Sequence, residues 1–145
     1  MSDAKAQGRD TRARGPQDRP MSPHVQVWRW HVTMFGSIAH RATGMALYAG
    51  GLILTGWAVA LAMGADAFNA YGAFLASPIG LLILFGLTVS FLYHLANGVR
   101  HLFWDTGHGF EPKTADMTGW AVIAFAVVAA VLIWIIAVLK MGVAQ

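Results

Sequence analysis

Three uncharged apolar tracts punctuate the chain: Ala42 to Met63, Ser77 to Val99 and Met117 to Leu139. Each is long enough to cross a hydrocarbon core as a helix, which takes roughly 20 apolar residues. Gly64 to Leu75, with Asp66 its only charge, separates the first two; a polar hinge containing Gly107, Gly109, Pro112 and Lys113 separates the second from the third. Short connections make neighbouring helices antiparallel. The pattern predicts an all-α integral membrane protein, a three-span up-down-up bundle. The spans are expected at about 38–63, 77–104 and 116–140 within a membrane domain 23–145, behind a polar, flexible arm 1–22.

Composition agrees, with 57% hydrophobic and only 12% charged residues among 145. That is too few charges for the surface of an ordinary soluble domain. Orientation follows from Lys and Arg near the spans. Lys5, Arg9, Arg12, Arg14, Arg19 and Arg29 precede the first span, Arg100 and Lys113 flank the second connection, and the first connection has neither residue type. The N-terminus and second connection are therefore expected inside, and the first connection and C-terminus outside.

The same bias accounts for a pI near 9.7. The basic residues are too dispersed for a nucleic-acid groove, so no nucleic acid is expected as partner. With no cysteine, iron-sulfur and thiolate chemistry within the chain are excluded, and a bound metal must use histidine. The arm has no hydrophobic stretch, unlike a secretory signal. It contains Asp3, Asp10 and Asp18, unlike a mitochondrial transit peptide. A bacterial inner membrane is expected in preference to a mitochondrial one.

Ionisable groups within spans cost at least ~2.5 kcal/mol each on insertion scales, so each one is a functional hypothesis. Polar and ionisable residues gather where the first helix enters (Ser37, His40, Arg41) and where the second exits (His94, Asn97, Arg100, His101, Asp105). At 100° per residue, His94, Gly98, His101 and Asp105 fall within a stripe about 60° wide. His94 lies about 16 Å along the helix axis from Asp105, at a depth without carboxylates.

A histidine so placed suits the role of neutral imidazole ligand, and Gly98 removes a side chain that would block a flat macrocycle; haem fits both. The competing reading of His94 is a hydrogen bond across the bundle. On the first helix Ser37, Arg41, Gly44, Tyr48 and Gly51 share a face, flanked by His40. Gly44 and Gly51 equally suit close helix packing. Arg41 and His101 sit at the depth where haem propionates would reach water, although an arginine there can also snorkel to lipid phosphate.

Two runs carry a family resemblance. Arg19-Pro20-Met21 followed by Ser37-Ile38-Ala39-His40-Arg41-Ala42-Thr43 resembles the entry signature of the succinate dehydrogenase cytochrome b556 subunit family. His94-Leu95-Ala96-Asn97-Gly98-Val99-Arg100-His101-Leu102-Phe103-Trp104-Asp105 resembles its second signature. The resemblance extends from about Arg19 to the end of the chain. It implies a complex II anchor that, with a second membrane anchor subunit, carries an iron-sulfur subunit and a flavoprotein subunit.

By that resemblance His94 is an axial ligand of haem b, the partner anchor supplying the other, while Ser37 and Arg41 line a ubiquinone site. His40 and His101 are assigned more loosely to the haem propionate region or proton delivery, and Tyr48 as a lining residue. His24, His31 and His108 read as surface or subunit-contact histidines. Adding single electrons to a quinone builds negative charge on its carbonyl oxygens, which a hydroxyl donor and a fixed cation stabilise. No residue is expected to be catalytic toward succinate.

Two other functions compete. The anchor of a fumarate reductase would carry the same residues, since the chemistry is reversible. A proton-conducting subunit would use His94, His101 and Asp105 as a relay, but the outer half of the bundle offers no ionisable partner to complete a path. A purely structural anchor leaves the cost of His94 and Arg41 unexplained.

Overall fold

The computed structural model describes residues 29–143, with side chains to Lys140; the expected arm 1–22, Pro20-Met21 and His24 lie outside the described residues. Four helices follow in order: α1 (Val32–Met63), α2 (Ala65–Ala76), α3 (Pro78–Asp105) and α4 (Pro112–Val143), with no strand among the described residues. Helices α1, α3 and α4 are long and apolar enough to cross a membrane, as the three-span pattern predicts. The 32 residues of α1 and of α4 span about 48 Å at 1.5 Å each. That exceeds a core of roughly 30 Å, so both helices tilt or project beyond it.

The projecting turns account for the earlier starts. Nothing between Val32 and Ser37 breaks a helix, so α1 begins at Val32 rather than near 38. Helix α4 starts on Pro112, whose fixed φ suits a first helical position, rather than at 116.

The connection Gly64 to Leu75 departs further from expectation, because most of it is helical. Its Ala-rich sequence contains no breaker, and its ends are punctuated. Gly64 has φ 106°, a left-handed value that other residues rarely adopt. At the far end the Ser77 hydroxyl caps α3 by accepting from the Gly80 N–H at 3.1 Å, with Pro78 in the first turn. A Cβ at Gly80 would collide with the carbonyls of Phe74 and Leu75, so the tight α2–α3 turn depends on glycine there. Helix α2 lies along α1, where the Tyr71 hydroxyl donates to the Ile53 carbonyl (2.8 Å) and Phe68 meets Trp57 edge-on.

Helix α3 packs against both α1 and α4. Helix α4 buries a small-residue stripe, Ala115, Gly119, Ala126 and Ala130. In lipid such stripes matter because helices associate by close packing and hydrogen bonds rather than by escape from water. Toward the far end the Trp134 indole donates to the Thr88 hydroxyl at 3.2 Å, giving its N–H a partner where lipid has none. Large apolar side chains such as Leu52, Ile79, Leu82 and Leu139 point outward.

Where α1 and α4 begin and α3 ends, a polar clasp joins α3 to α4. Arg100, only 8% exposed, donates from Nε to Thr118 (3.0 Å), from Nη1 to the Asn97 side-chain oxygen (3.4 Å) and from Nη2 to the Ala115 carbonyl (2.6 Å). Its guanidinium also lies 4.0 Å from the centre of the Trp104 ring. Nearby, His31 Nε2 pairs with Asp116 at 3.1 Å, tying the start of α1 to that of α4. Arg100 is therefore a structural cation inside the bundle and not the loop charge that the orientation count takes it for.

Removing a buried charged donor leaves its acceptors unsatisfied. Arg100→Ala is expected to destabilise the solubilised complex by about 2–4 kcal/mol, read as a lower unfolding midpoint in detergent. Arg100→Lys recovers only part of this, because one ammonium cannot reproduce a planar fork directed at three acceptors.

Candidate functional site

The other polar residues at this end of the bundle meet on a different side of α3. His94 and His101, two turns apart on α3, both approach His40 of α1. The His94 and His40 rings stack at 3.9 Å with only 8° between their planes, and His101 lies 5.3 Å from His40 at a tilt. Trp104 meets His101 edge-on at 5.1 Å, so its ring stands between the histidines and the Arg100 clasp.

The close approach of α3 to α1 has identifiable causes. Tyr93, buried beside His94 in sequence, donates its hydroxyl to the Gly36 carbonyl at 3.1 Å. About two turns further along α1, a Cβ on Gly44 would stand 3.2 Å from His94 Cε1, so this glycine makes room for the imidazole. A Cβ on Gly51 would have no neighbour within 4 Å; close packing within the chain is not its role.

His94 Nδ1 lies 3.2 Å from the His40 carbonyl oxygen and 3.3 Å from Thr43 Oγ1. A carbonyl can only accept, so Nδ1 carries the proton and Nε2 keeps the lone pair. No described residue is a hydrogen-bond partner of that Nε2. The two readings of His94 are thus compatible, one nitrogen making the cross-helix hydrogen bond while the other stays available as a ligand. A Cβ built on Gly98, one turn along, meets nothing within 4 Å, which leaves the surface beside His94 clear. His40 Nδ1 is buried by the chain itself and has no hydrogen-bond partner among the described residues.

Ser37, Arg41 and Tyr48 lie on an exposed face of α1, Tyr48 at 75%. The helices of this chain do not cover them, and Asp105 is exposed as well. Among the described residues no three His, Cys, Asp or Glu side chains converge to hold a bare metal ion. A metal held at His94 would need its remaining ligands from outside the described residues. A groove of about 620 Å³ between α3 and α4 is lined by residues including Leu95, Val99, Phe103 and Phe125, and His94 is not among them. Its nearly unbroken apolar lining suits acyl chains better than redox chemistry.

The site was legible in part. The rings of His40, His94 and His101 come together, while Ser37 and Arg41 share an exposed face of α1. Tyr93 takes a part that the sequence reading did not assign. Tyr93, Asn97 and Arg100 recur at spacings of four and three residues, a helical stripe that pointed to a second, inward face.

Three membrane-crossing helices with a histidine-centred site at one end define a class, the multi-pass membrane proteins whose polar cluster is only partly enclosed by their own chain. Residues 16–133 match the model of the succinate dehydrogenase/fumarate reductase transmembrane subunit, and the chain belongs to that family. It is 42% identical over 119 residues to the succinate dehydrogenase cytochrome b556 subunit of Paracoccus denitrificans, covering 82% of this chain and 92% of that one. The Rickettsia felis protein of the same name is 36% identical over 117 residues, covering 81% and 91%. The mitochondrial succinate dehydrogenase cytochrome b560 subunit of Bos taurus is 36% identical over 119 residues, covering 79% and 69%.

Proposed function

We propose that this chain is a membrane anchor of a succinate:ubiquinone oxidoreductase. It holds haem b through His94 and contributes Ser37 and Arg41 to the ubiquinone pocket. The observation that carries the reading is the His94 imidazole, pinned at Nδ1 to α1 with Nε2 unpartnered beside the open Gly98 surface. The family membership and the names of its relatives supply the chemical context.

When bound, the haem supplies one-electron storage next to the quinone. His94 would hold that group through Nε2, with a further ligand supplied by the partner anchor. His40 and His101, packed beside His94, would offer polar partners to the haem propionates. Arg41 places a fixed cation, and Ser37 a hydroxyl donor one turn away, on the uncovered face of α1. Together they stabilise negative charge arising on a quinone oxygen and hold a proton donor near it. Succinate is oxidised on the flavoprotein subunit and does not touch this chain, and electrons arrive through the iron-sulfur subunit. In this reading the N-terminus and the α3–α4 connection face the cytoplasm of a bacterial cell, and the C-terminus lies outside.

The test is purification of the complex from membranes through a tag on this chain. The expected result is co-elution of a flavoprotein, an iron-sulfur protein and a second small membrane subunit, with the reduced absorption bands of a low-spin b-type haem. A tagged chain that elutes with no haem and no flavin overturns the proposal. The family also includes fumarate reductases; a bound low-potential quinone and a low haem midpoint would identify that direction of working.

A further inference from the structure

The hydrogen bonds around His94 include one residue to which neither the family match nor the site described above gives a task. Thr43 sits in α1 one residue before Gly44, opposite His94. Its hydroxyl donates to the Ala39 carbonyl at 2.8 Å and the His40 carbonyl at 3.0 Å. These back-bonds use its only proton. β-Branching limits its χ1 freedom further, and its oxygen lone pairs are left to accept. The group 3.3 Å from that oxygen is His94 Nδ1, which also lies 3.2 Å from the His40 carbonyl. The Nδ1–H is therefore shared between two acceptors, and Thr43 touches both partners of this three-centre arrangement.

We infer that Thr43 is a positioning residue for the haem ligand, its hydroxyl oxygen fixing the His94 tautomer and ring angle and raising the basicity of Nε2. This rests on the reading of His94 as the ligand. The physical basis is general: a hydrogen bond from the second ring nitrogen of a metal-bound histidine orients the ring and gives it partial imidazolate character. A more basic ligand favours ferric over ferrous iron, so this contact lowers the midpoint potential of the haem. Gly44 complements it sterically. The glycine lets the ring approach to where a Cβ would stand 3.2 Å away, and Thr43 then determines how the ring is held.

The test compares Thr43→Val, which keeps the shape and removes the acceptor, with Thr43→Ser, which keeps the acceptor and removes a methyl. Both are made in the intact complex, and assembly is checked by flavin content and by succinate oxidation with a soluble dye. The readouts are the haem midpoint potential and the low-field electron paramagnetic resonance g value. Thr43→Val is expected to move the ferric/ferrous equilibrium toward ferrous by up to about tenfold, an upward shift of about 59 mV for a one-electron couple, with a changed g value. Thr43→Ser keeps both as in the unaltered complex. An unshifted potential in Thr43→Val, or an equal shift in Thr43→Ser, overturns the inference. Should the valine complex not assemble, Thr43→Ala takes its place with the same expectation. If His94→Ala retains its haem, the ligand reading falls; if that variant loses haem while Thr43→Val is unshifted, only the role of Thr43 is lost.

Discussion

Replacing His94 by alanine is expected to strip the complex of its low-spin b-type spectrum, leaving an order of magnitude less haem per flavin. The variant is expected to keep the three spans, because other groups also hold α3 against its neighbours. Tyr93 still reaches the Gly36 carbonyl, and Arg100 still holds Thr118 and the Ala115 carbonyl. The lost elements are the imidazole itself, its hydrogen bond to the His40 carbonyl and its stack on the His40 ring. Reduced-minus-oxidised difference spectra of the purified complex measure the outcome. A spectrum indistinguishable from that of the unaltered complex would sink the ligand assignment.

Arg41→Leu carries the second large effect. Ubiquinone reduction by succinate is expected to fall about 10²-fold, in the range seen when one donor to a developing oxyanion is removed. Succinate oxidation with a soluble dye should persist, since the dye takes electrons before they reach the membrane. Leucine also removes a charge from an exposed face of α1, so the bundle itself gains rather than loses by the change in lipid. Parallel loss of both activities would point instead to failed assembly.

The spans could be read from sequence because an uncharged tract of that length has few other uses. Helix α2 could not, since hydropathy treats twelve mixed residues as a loop. Its signals were local: an alanine-rich run closed by Gly64 on one side and by Ser77-Pro78 on the other. His94 stood out through its cost in a membrane, an argument that needs no neighbours. Thr43 and Gly44 did not, because their parts depend on which residues of α1 fall opposite His94, and one sequence contains no register between distant helices. Arg100 was misplaced for a related reason. Its position near a span end matches an interfacial charge, and only the stripe formed with Tyr93 and Asn97 hinted that it turns inward.

The two polar clusters at this end of the bundle differ in what completes them. Arg100 finds its acceptors within the chain, so that half is finished when the helices meet. Ser37 and Arg41 remain uncovered by the described helices. A copy stranded alone in the bilayer would carry that open side against lipid, at ~2.5 kcal/mol or more for a charge held at depth. The chain thereby bears a built-in mark of incompleteness.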